Sequence, residues 1–275
     1  MTRRIAADRT RIAAVVPAAG LGTRLLPFTR ALPKELLPVG RRTLLDWLAT
    51  EAIAAGLDEL ILVTSETKRP FFAAHIEAAA RPGNAEDERV ATAWSKLTVR
   101  YAIQERPAGL GDAVRVGRDA ARADGHDGPV AVLLPDEIHD GGRTMSDLLA
   151  VHDRHGGSVL STFRAHASEL HRYGILELDR RRHHNDPYTV LDAVEKPAAG
   201  EAPSHFAIAG RYLLDTAILE ALDEFTTGTG EELQLTDAIA LVALQGGPVR
   251  ATTLAGRRFD LGTWDGYETA AAAMR

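Results

Sequence analysis

The chain contains no cysteine. That removes a disulfide framework, a thiolate nucleophile and any Cys-based zinc site, and it leaves the redox compartment unassigned. Lysine is scarce as well: of 32 basic residues only four are lysine, Lys34, Lys68, Lys96 and Lys196. Arginine therefore serves for general surface charge, and each lysine raises the question of what a compact ammonium does there that a planar guanidinium cannot. Aromatic residues make up 5% of the chain, and no apolar run approaches the roughly 20 residues that span a bilayer. A net charge of −6 argues against a nucleic-acid or membrane surface, for which a basic patch is the usual requirement. A cytoplasmic protein is the expectation. Arg3, Arg4, Arg9 and Arg11 followed by Ile12 to Val16 imitate a signal peptide, but the apolar stretch is short, meets Pro17 and runs into a glycine-rich turn, which suits a first buried strand.

What is present is ordinary globular material, 45% hydrophobic over 275 residues, enough for one large α/β domain or two small ones. Short β-branched runs at Ile12 to Val16, Glu59 to Thr64, Thr98 to Ile103 and Val130 to Leu134 read as strands, the last three as strands buried on both faces. Helical periodicity fills the gaps at Leu44 to Ala55, Pro70 to Ala80 and Asp112 to Ala123. Alternation of this kind predicts a largely parallel sheet. Beyond Val151, strands are expected near Ser158 to Arg164, Tyr173 to Leu178, Thr189 to Val194 and Phe206 to Leu213, with helices at Asp215 to Phe225, Leu235 to Leu244 and Trp264 to Met274. Arg81 to Arg89 and Arg180 to Pro187 read as surface loops.

The strongest local feature is Pro17-Ala-Ala-Gly20-Leu-Gly22-Thr23-Arg24, directly after the first strand. A glycine-rich turn there lets backbone N–H groups approach an anion. It is neither a dinucleotide fingerprint nor a P-loop, since Leu25 replaces the third glycine and no Gly-Lys-Ser/Thr follows. Lys34 stands between Pro33 and Pro38, whose fixed φ stiffens its loop. A second Gly-x-Gly, Gly109-Leu-Gly111, follows Gln104 and precedes Asp112. Gln104 can pair with the edge of a base, while the alternative is a solvated turn with Asp112 as helix N-cap. Asp136 ends an apolar strand, the place where open α/β sheets gather ligands and where a hard oxygen suits Mg²⁺. Tyr173-Gly174, Glu195-Lys196, Gly210-Arg211 and Asp260-Leu-Gly262-Thr263 add acceptors for hydroxyls and a cation for phosphate. His152, His155, His183 and His184 lack a metal-site pattern and read as surface residues, as do Lys68 and Lys96.

In order, Ala18 to Arg24, Pro33 to Val39, Gly109 to Gly111, Leu134 to Asp136, Tyr173-Gly174, Val194 to Pro197, Gly210 to Tyr212 and Glu231 to Ile239 resemble the motifs of the sugar-1-phosphate nucleotidylyltransferases, most closely the bacterial UTP:glucose-1-phosphate uridylyltransferases. The resemblance runs from Ile12 to Tyr267. It implies a single domain over 1–275 with a Rossmann-like, doubly wound, mostly parallel sheet and an added β region over the sugar. Residues of about 12–150 would form the nucleotide half, and 151–275 the sugar and C-terminal half. It further implies a homodimer or homotetramer, Mg²⁺, and UMP transfer from UTP to glucose 1-phosphate.

Carried over residue by residue, Ala19, Gly20, Gly22, Thr23 and Arg24 would meet the nucleotide and its phosphates, Lys34 the α/β-phosphate region, and Gln104 and Gly109 the uracil. Gly174, Glu195 and Gly210 would contact the sugar, Lys196 its phosphate, and Asp136 and Asp260 the metal. Arg24, Lys34 and Lys196 form the catalytic set. Two departures keep a dTTP-dependent thymidylyltransferase as an alternative: Asp112 stands where the uridylyltransferases usually carry His, and Asp260-Leu-Gly-Thr is closer to the thymidylyltransferase pattern. A non-catalytic nucleotide-binding regulator is the alternative from another class. An NAD oxidoreductase fails for want of the third glycine and of an acidic residue at the required distance.

Overall fold

The computed structural model describes residues 12–81, 83, 87–179, 181, 186–225 and 232–274. The arginines before Ile12, parts of both expected surface loops, His183, His184 and Glu231 lie outside them. The chain opens with β1 (Ala13–Pro17) and passes through a short ribbon, β2 (Pro38–Val39) with β3 (Arg42–Thr43), into α1 (Leu44–Ala54). Thr43 and Asp46 start α1 with a reciprocal capping box, each side chain accepting from the other's backbone N–H. There follow β4 (Glu59–Thr64), α2 (Arg69–Ala80), α3 (Glu88–Lys96), β5 (Thr98–Ile103), α4 (Leu110–Ala123), β6 (Val130–Leu133), β7 (Glu137–His139) and α5 (Thr144–His155). The rest comprises β8 (Ser158–Arg164), β9 (Gly174–Asp179), β10 (Tyr188–Glu195), β11 (Phe206–Leu214), α6 (Thr216–Ala221), α7 (Leu235–Leu244), β12 (Val249–Thr253), β13 (Arg258–Asp260) and α8 (Trp264–Ala273).

Nine strands form one sheet in the order β5-β4-β1-β6-β11-β8-β12-β10-β9. Alternation along its central strands explains the layering. Ala13 and Val15 of β1, with Ile61 and Val63 of β4, join the core beneath α4, α6 and α7. Ala14, Val16, Leu60 and Leu62 join the core on the other face, beneath α1, α2, α3 and α5. Both faces are covered, which is why β4 reads as an unbroken apolar run between Glu59 and Thr64.

The expected parallel order holds for β5-β4-β1-β6 and again for β8 with β12. Elsewhere it does not: β11 runs antiparallel to β6, β8 and β9, and β10 antiparallel to β9 and β12. Strands β9 and β10 are separated only by residues 180–187, and a connection that short reverses the chain rather than crossing over. The expected loop at Arg81 to Arg89 gives way at Asp87, whose side chain accepts from Arg89 N–H and caps α3.

Parallel pairing sends the carboxyl ends of β1, β4, β5 and β6 to one edge of the sheet, so the turns after Pro17, Thr64, Ile103 and Leu133 emerge together. Across from them, β7 and β13 form a small ladder in which Arg258 grips Glu137 with two hydrogen bonds, 2.7 and 2.6 Å. Burial alone would raise the Glu137 carboxyl. Hydrogen bonds from His139 and Arg258 outweigh it and hold the group at about 2, against an ordinary 4.5. A depressed carboxyl stabilises the fold fully above its unfolded value and loses that contribution as pH falls through the folded one. The Glu137 contribution, about 3 kcal/mol, should therefore fade between pH 4.5 and 2. Acid titration of stability should be visibly shallower across that window in Glu137→Gln than in the wild-type protein, and equal slopes would refute the assignment.

Candidate active site

The turn after β1 begins with Ala18 N–H bonded to Val63 O, 2.7 Å. Gly22 lies in the left-handed region at φ +66 and opens a one-turn helix over Thr23–Leu25 that presents Arg24 to solvent. A Cβ on Gly20 would meet nothing within 4 Å, so this backbone faces open space. After another at Phe28–Arg30, a third one-turn helix at Lys34–Leu36 sends successive side chains in opposite directions. Lys34 reaches forward to Asp136 Oδ2 at 3.0 Å. Glu35 turns inward, fully buried, towards Lys68 at 3.3 Å. Burial opposes charge on Lys34, but Asp136 and Glu35 prevail and keep its ammonium above the ordinary lysine value.

Gln104, at the end of β5, is 5% exposed. Its Nε2 donates to Asp112 Oδ2 at 2.7 Å. Asp112 is thus not the N-cap of α4; Gly109 is, and Asp112 sits in the first turn, facing Gln104. A carboxylate only accepts, so this bond fixes the amide with its nitrogen towards Asp112. The glycines nearby are also approached closely by protein backbone, and Gly109 still lines the chamber beside Gln104. A Cβ on Gly109 would lie 2.5 Å from Leu233 O and one on Gly111 2.9 Å from the same atom, and Gly111 N–H donates to that carbonyl. Their missing side chains admit the strand-like approach to α7.

In the second half, Lys196 follows β10 with φ +42, the only non-glycine positive φ among the described residues. Such a conformation costs on the order of 1–3 kcal/mol and persists only where surroundings or function impose it. Its Nζ lies 2.8 Å from Glu195 Oε1, while Glu195 Oε2 accepts from Thr236 Oγ1 at 2.7 Å. Gly174 and Gly210 leave space for these carboxylates: a Cβ would stand 3.2 Å from Glu195 Oε2 and 2.9 Å from Glu137 Oε2 respectively. Arg211, beside Gly210, points away from the site and is bound to Glu51.

Three adjoining chambers gather these groups. One of about 310 Å³ is lined by Ala19, Gly20, Lys34, Gln104, Gly109 and Asp136. A second, about 220 Å³, has Gly22, Thr23, Arg24, Lys34 and Asp136. The third, about 260 Å³, holds Arg24, Asp136, Gly174, Glu195, Lys196, Gly210 and Asp260. Every site residue expected from the sequence lines at least one, and Asp136 is a wall of all three.

Asp260 is held by Arg172 at 3.1 Å, Tyr173 Oη at 3.1 Å and Gly262 N–H at 3.0 Å, with Arg258 at 3.4 Å. A Cβ on Gly262 would stand 3.1 Å from Asp260 Oδ1 and 3.9 Å from Asp136 Oδ2, so the two carboxylates flank one point. Among the described residues no cluster of three or more acidic, His or Cys side chains could hold a metal. A pair of carboxylates still suits Mg²⁺, which takes one or two of them and completes its shell with water and substrate phosphate.

Sequence reasoning missed Arg172, Glu137, Arg258 and Thr236, which hold the expected residues in place. Glu137 adjoins Asp136 and Arg258 alternates with Asp260, but nothing local marks them as a pair across the β7–β13 ladder. Lys68, expected on the surface, is instead largely enclosed beneath the glycine turn, where Ala18 and Gly20 carbonyls accept from it.

A family model described as nucleotidyl transferase matches residues 13–275. The chain is 36% identical over 265 residues to a UTP--glucose-1-phosphate uridylyltransferase of Bacillus subtilis, covering 93% of this chain and 88% of that one. It is 34% identical to the protein of that name from Pseudomonas aeruginosa, covering 91% of each. Among solved structures, a UDP-glucose pyrophosphorylase complexed with UDP-glucose superposes with a TM-score of 0.85 at 29% identity, over 95% of this chain and 97% of that one. A UTP-bound UGPase from Acinetobacter baumannii gives 0.77 at 28%, over 95% and 92%. With the glycine turn, the two lysine loops and the three chambers all inside the matched span, the chain belongs to the nucleotidyl transferase family.

Proposed function

We propose that the protein transfers UMP from UTP to glucose 1-phosphate, with Mg²⁺, giving UDP-glucose and pyrophosphate. One observation carries the reading: a chamber built around Gln104 and a chamber built around Glu195 and Lys196 share Asp136 as a wall, with Lys34 bonded to it. Two anionic substrates would meet there. The similar uridylyltransferases and the UDP-glucose and UTP complexes support the choice of substrates.

In this reading an oxygen of the sugar phosphate attacks the α-phosphorus in line, the bond from that phosphorus to the bridging oxygen breaks, and pyrophosphate leaves with the electron pair. No covalent residue is required; alignment and neutralisation of charge suffice. Gly20, Gly22, Thr23 and Arg24 hold the triphosphate, and Lys34 lies at its α/β region. Ala19, Gln104 and Gly109 border the uracil. Gly174, Glu195 and Gly210 take the sugar hydroxyls, and Lys196 takes the sugar's phosphate. Asp136 and Asp260 would hold Mg²⁺, which when bound supplies positive charge to phosphoryl oxygens.

In the same reading the chain is one domain, with a doubly wound, Rossmann-like nucleotide half over about 12–150 and a sugar half over about 151–275 whose antiparallel strands β9 and β10 form the added β region. A homodimer or homotetramer in the cytoplasm completes it. Among the described residues no helix is long and apolar enough to cross a membrane.

Incubation with Mg²⁺, glucose 1-phosphate and each of UTP, dTTP, ATP, CTP and GTP, followed by pyrophosphate release, tests the reading. UTP should be the best donor, with dTTP behind it by about 1 to 3 kcal/mol in kcat/KM, the scale set by one methyl group. Silence with all five would leave a nucleotide-binding regulator in its place. Lys196→Ala should lower kcat/KM for glucose 1-phosphate by at least about tenfold, the worth of a charge-assisted phosphate contact. Lys34→Arg and Lys196→Arg should also impair turnover, because a guanidinium fork does not reproduce a point charge among phosphate oxygens; wild-type rates in both would remove the lysines from the mechanism.

A further inference from the structure

We propose that Lys68 is a positioning residue that braces the glycine turn from beneath and fixes the direction in which its backbone N–H groups point. The inference rests on the reading above, in which that turn receives the triphosphate. Lys68 follows β4 and immediately precedes α2, and parallel pairing of β4 with β1 brings it under the turn. It is not among the residues lining the three chambers, so it touches no ligand placed there.

Its Nζ donates to Ala18 O at 3.0 Å, to Gly20 O, and to Glu35 Oε2 at 3.3 Å. Three donors on one nitrogen meet three acceptors that converge on one point. A planar guanidinium spreads its donors over a fork and cannot fill that place without moving the acceptors. This answers for Lys68 the question that the rarity of lysine poses.

The consequence for the turn follows from the planar trans peptide, in which a carbonyl and the N–H of the next residue point in opposite directions. Pinning Ala18 O and Gly20 O onto Lys68 aims the N–H groups of Ala19 and Leu21 away from it. Ala19 and Gly20 line the nucleotide chamber. Glu35 extends the brace to the second phosphate loop. It is fully buried, its Oε1 has no partner among the described residues, and its neighbour Lys34 holds Asp136. One buried ion pair therefore ties the glycine turn to the loop that carries Lys34. Burial raises the Glu35 carboxyl and lowers the Lys68 ammonium, as expected for an enclosed pair at which each charge depends on the other.

The test uses Lys68→Met, Lys68→Arg and the double variant Glu35→Gln/Lys68→Met, the last removing the buried carboxylate that the single variant strands. In the double variant the melting temperature should stay within a few degrees of wild type. KM for UTP should rise at least tenfold, while KM for glucose 1-phosphate stays within twofold. Lys68→Arg should fail to restore KM for UTP. An unchanged KM for UTP in the folded double variant, or full recovery with arginine, would overturn the brace. A wild-type protein that releases no pyrophosphate from UTP would overturn the functional reading instead. The brace is then read from calorimetric binding of inorganic tripolyphosphate: tenfold weaker binding in the double variant upholds it, and equal binding overturns it.

Discussion

The geometry of the whole site depends on a guanidinium sealed inside the protein. Arg211, 1% exposed on β11, donates to Glu51 of α1 and to the main-chain carbonyls of Leu134, Gly210 and Glu137. Those partners come from three separate stretches of chain. The bond to Leu134 fixes the end of β6 just before Asp136, and the bond to Glu137 fixes the residue just after it. Glu51 answers the charge: burial would raise its carboxyl, but Arg211 keeps it below the ordinary value. A buried pair of this kind adds little net stability over well-packed apolar residues, yet loss of one member strands the other at a cost of about 3–5 kcal/mol. Its value lies in register. It sets the carboxylate shared by all three chambers at a fixed height above the sheet.

Cations are divided by shape. Arginines sit where a flat carboxylate can be gripped twice, as Arg258 grips Glu137 and Arg118 grips Asp223. Lys68 sits where three acceptors come to a point behind the Lys34–Leu36 turn, and Lys34, on the chamber side of it, meets a single carboxylate oxygen of Asp136. A sequence with 28 arginines and four lysines thus places half its lysines within a single cross-braced pair of loops, with a third, Lys196, in the adjoining chamber.

The sequence made the first half legible because its information there is local. Buried parallel strands show as apolar runs, their helices as periodic stretches, and the chemistry collects in the turns that follow each strand. Gly20, Lys34, Gln104 and Asp136 could be singled out on that basis alone, whereas Ala19 came only through the resemblance. The second half was harder, since its sheet mixes parallel and antiparallel pairs and no single segment shows which partner it takes. β12, whose register is set by β8, carries only Val249 and Ala251 as fully buried residues and gave no signal of its own. The supporting residues were illegible for the same reason. Nothing near Lys68 shows that carbonyls 48 and 50 positions away will close over it, and the glycines at 109 and 111 gave no hint that their close neighbour is Leu233.

The left-handed backbone at Lys196 has a bearing on how this protein can be altered. Glycine would relax that conformation at once, so selection or design for stability alone would drift towards it and discard the ammonium. Here lysine occupies that conformation, with its N–H held by Tyr173 O at 3.0 Å and Pro197 restricting the next step of the chain. If Lys196 meets the sugar's phosphate as proposed, robustness and chemistry are opposed at a single residue. A hardened form of this protein would have to gain its stability elsewhere and leave that strain in place.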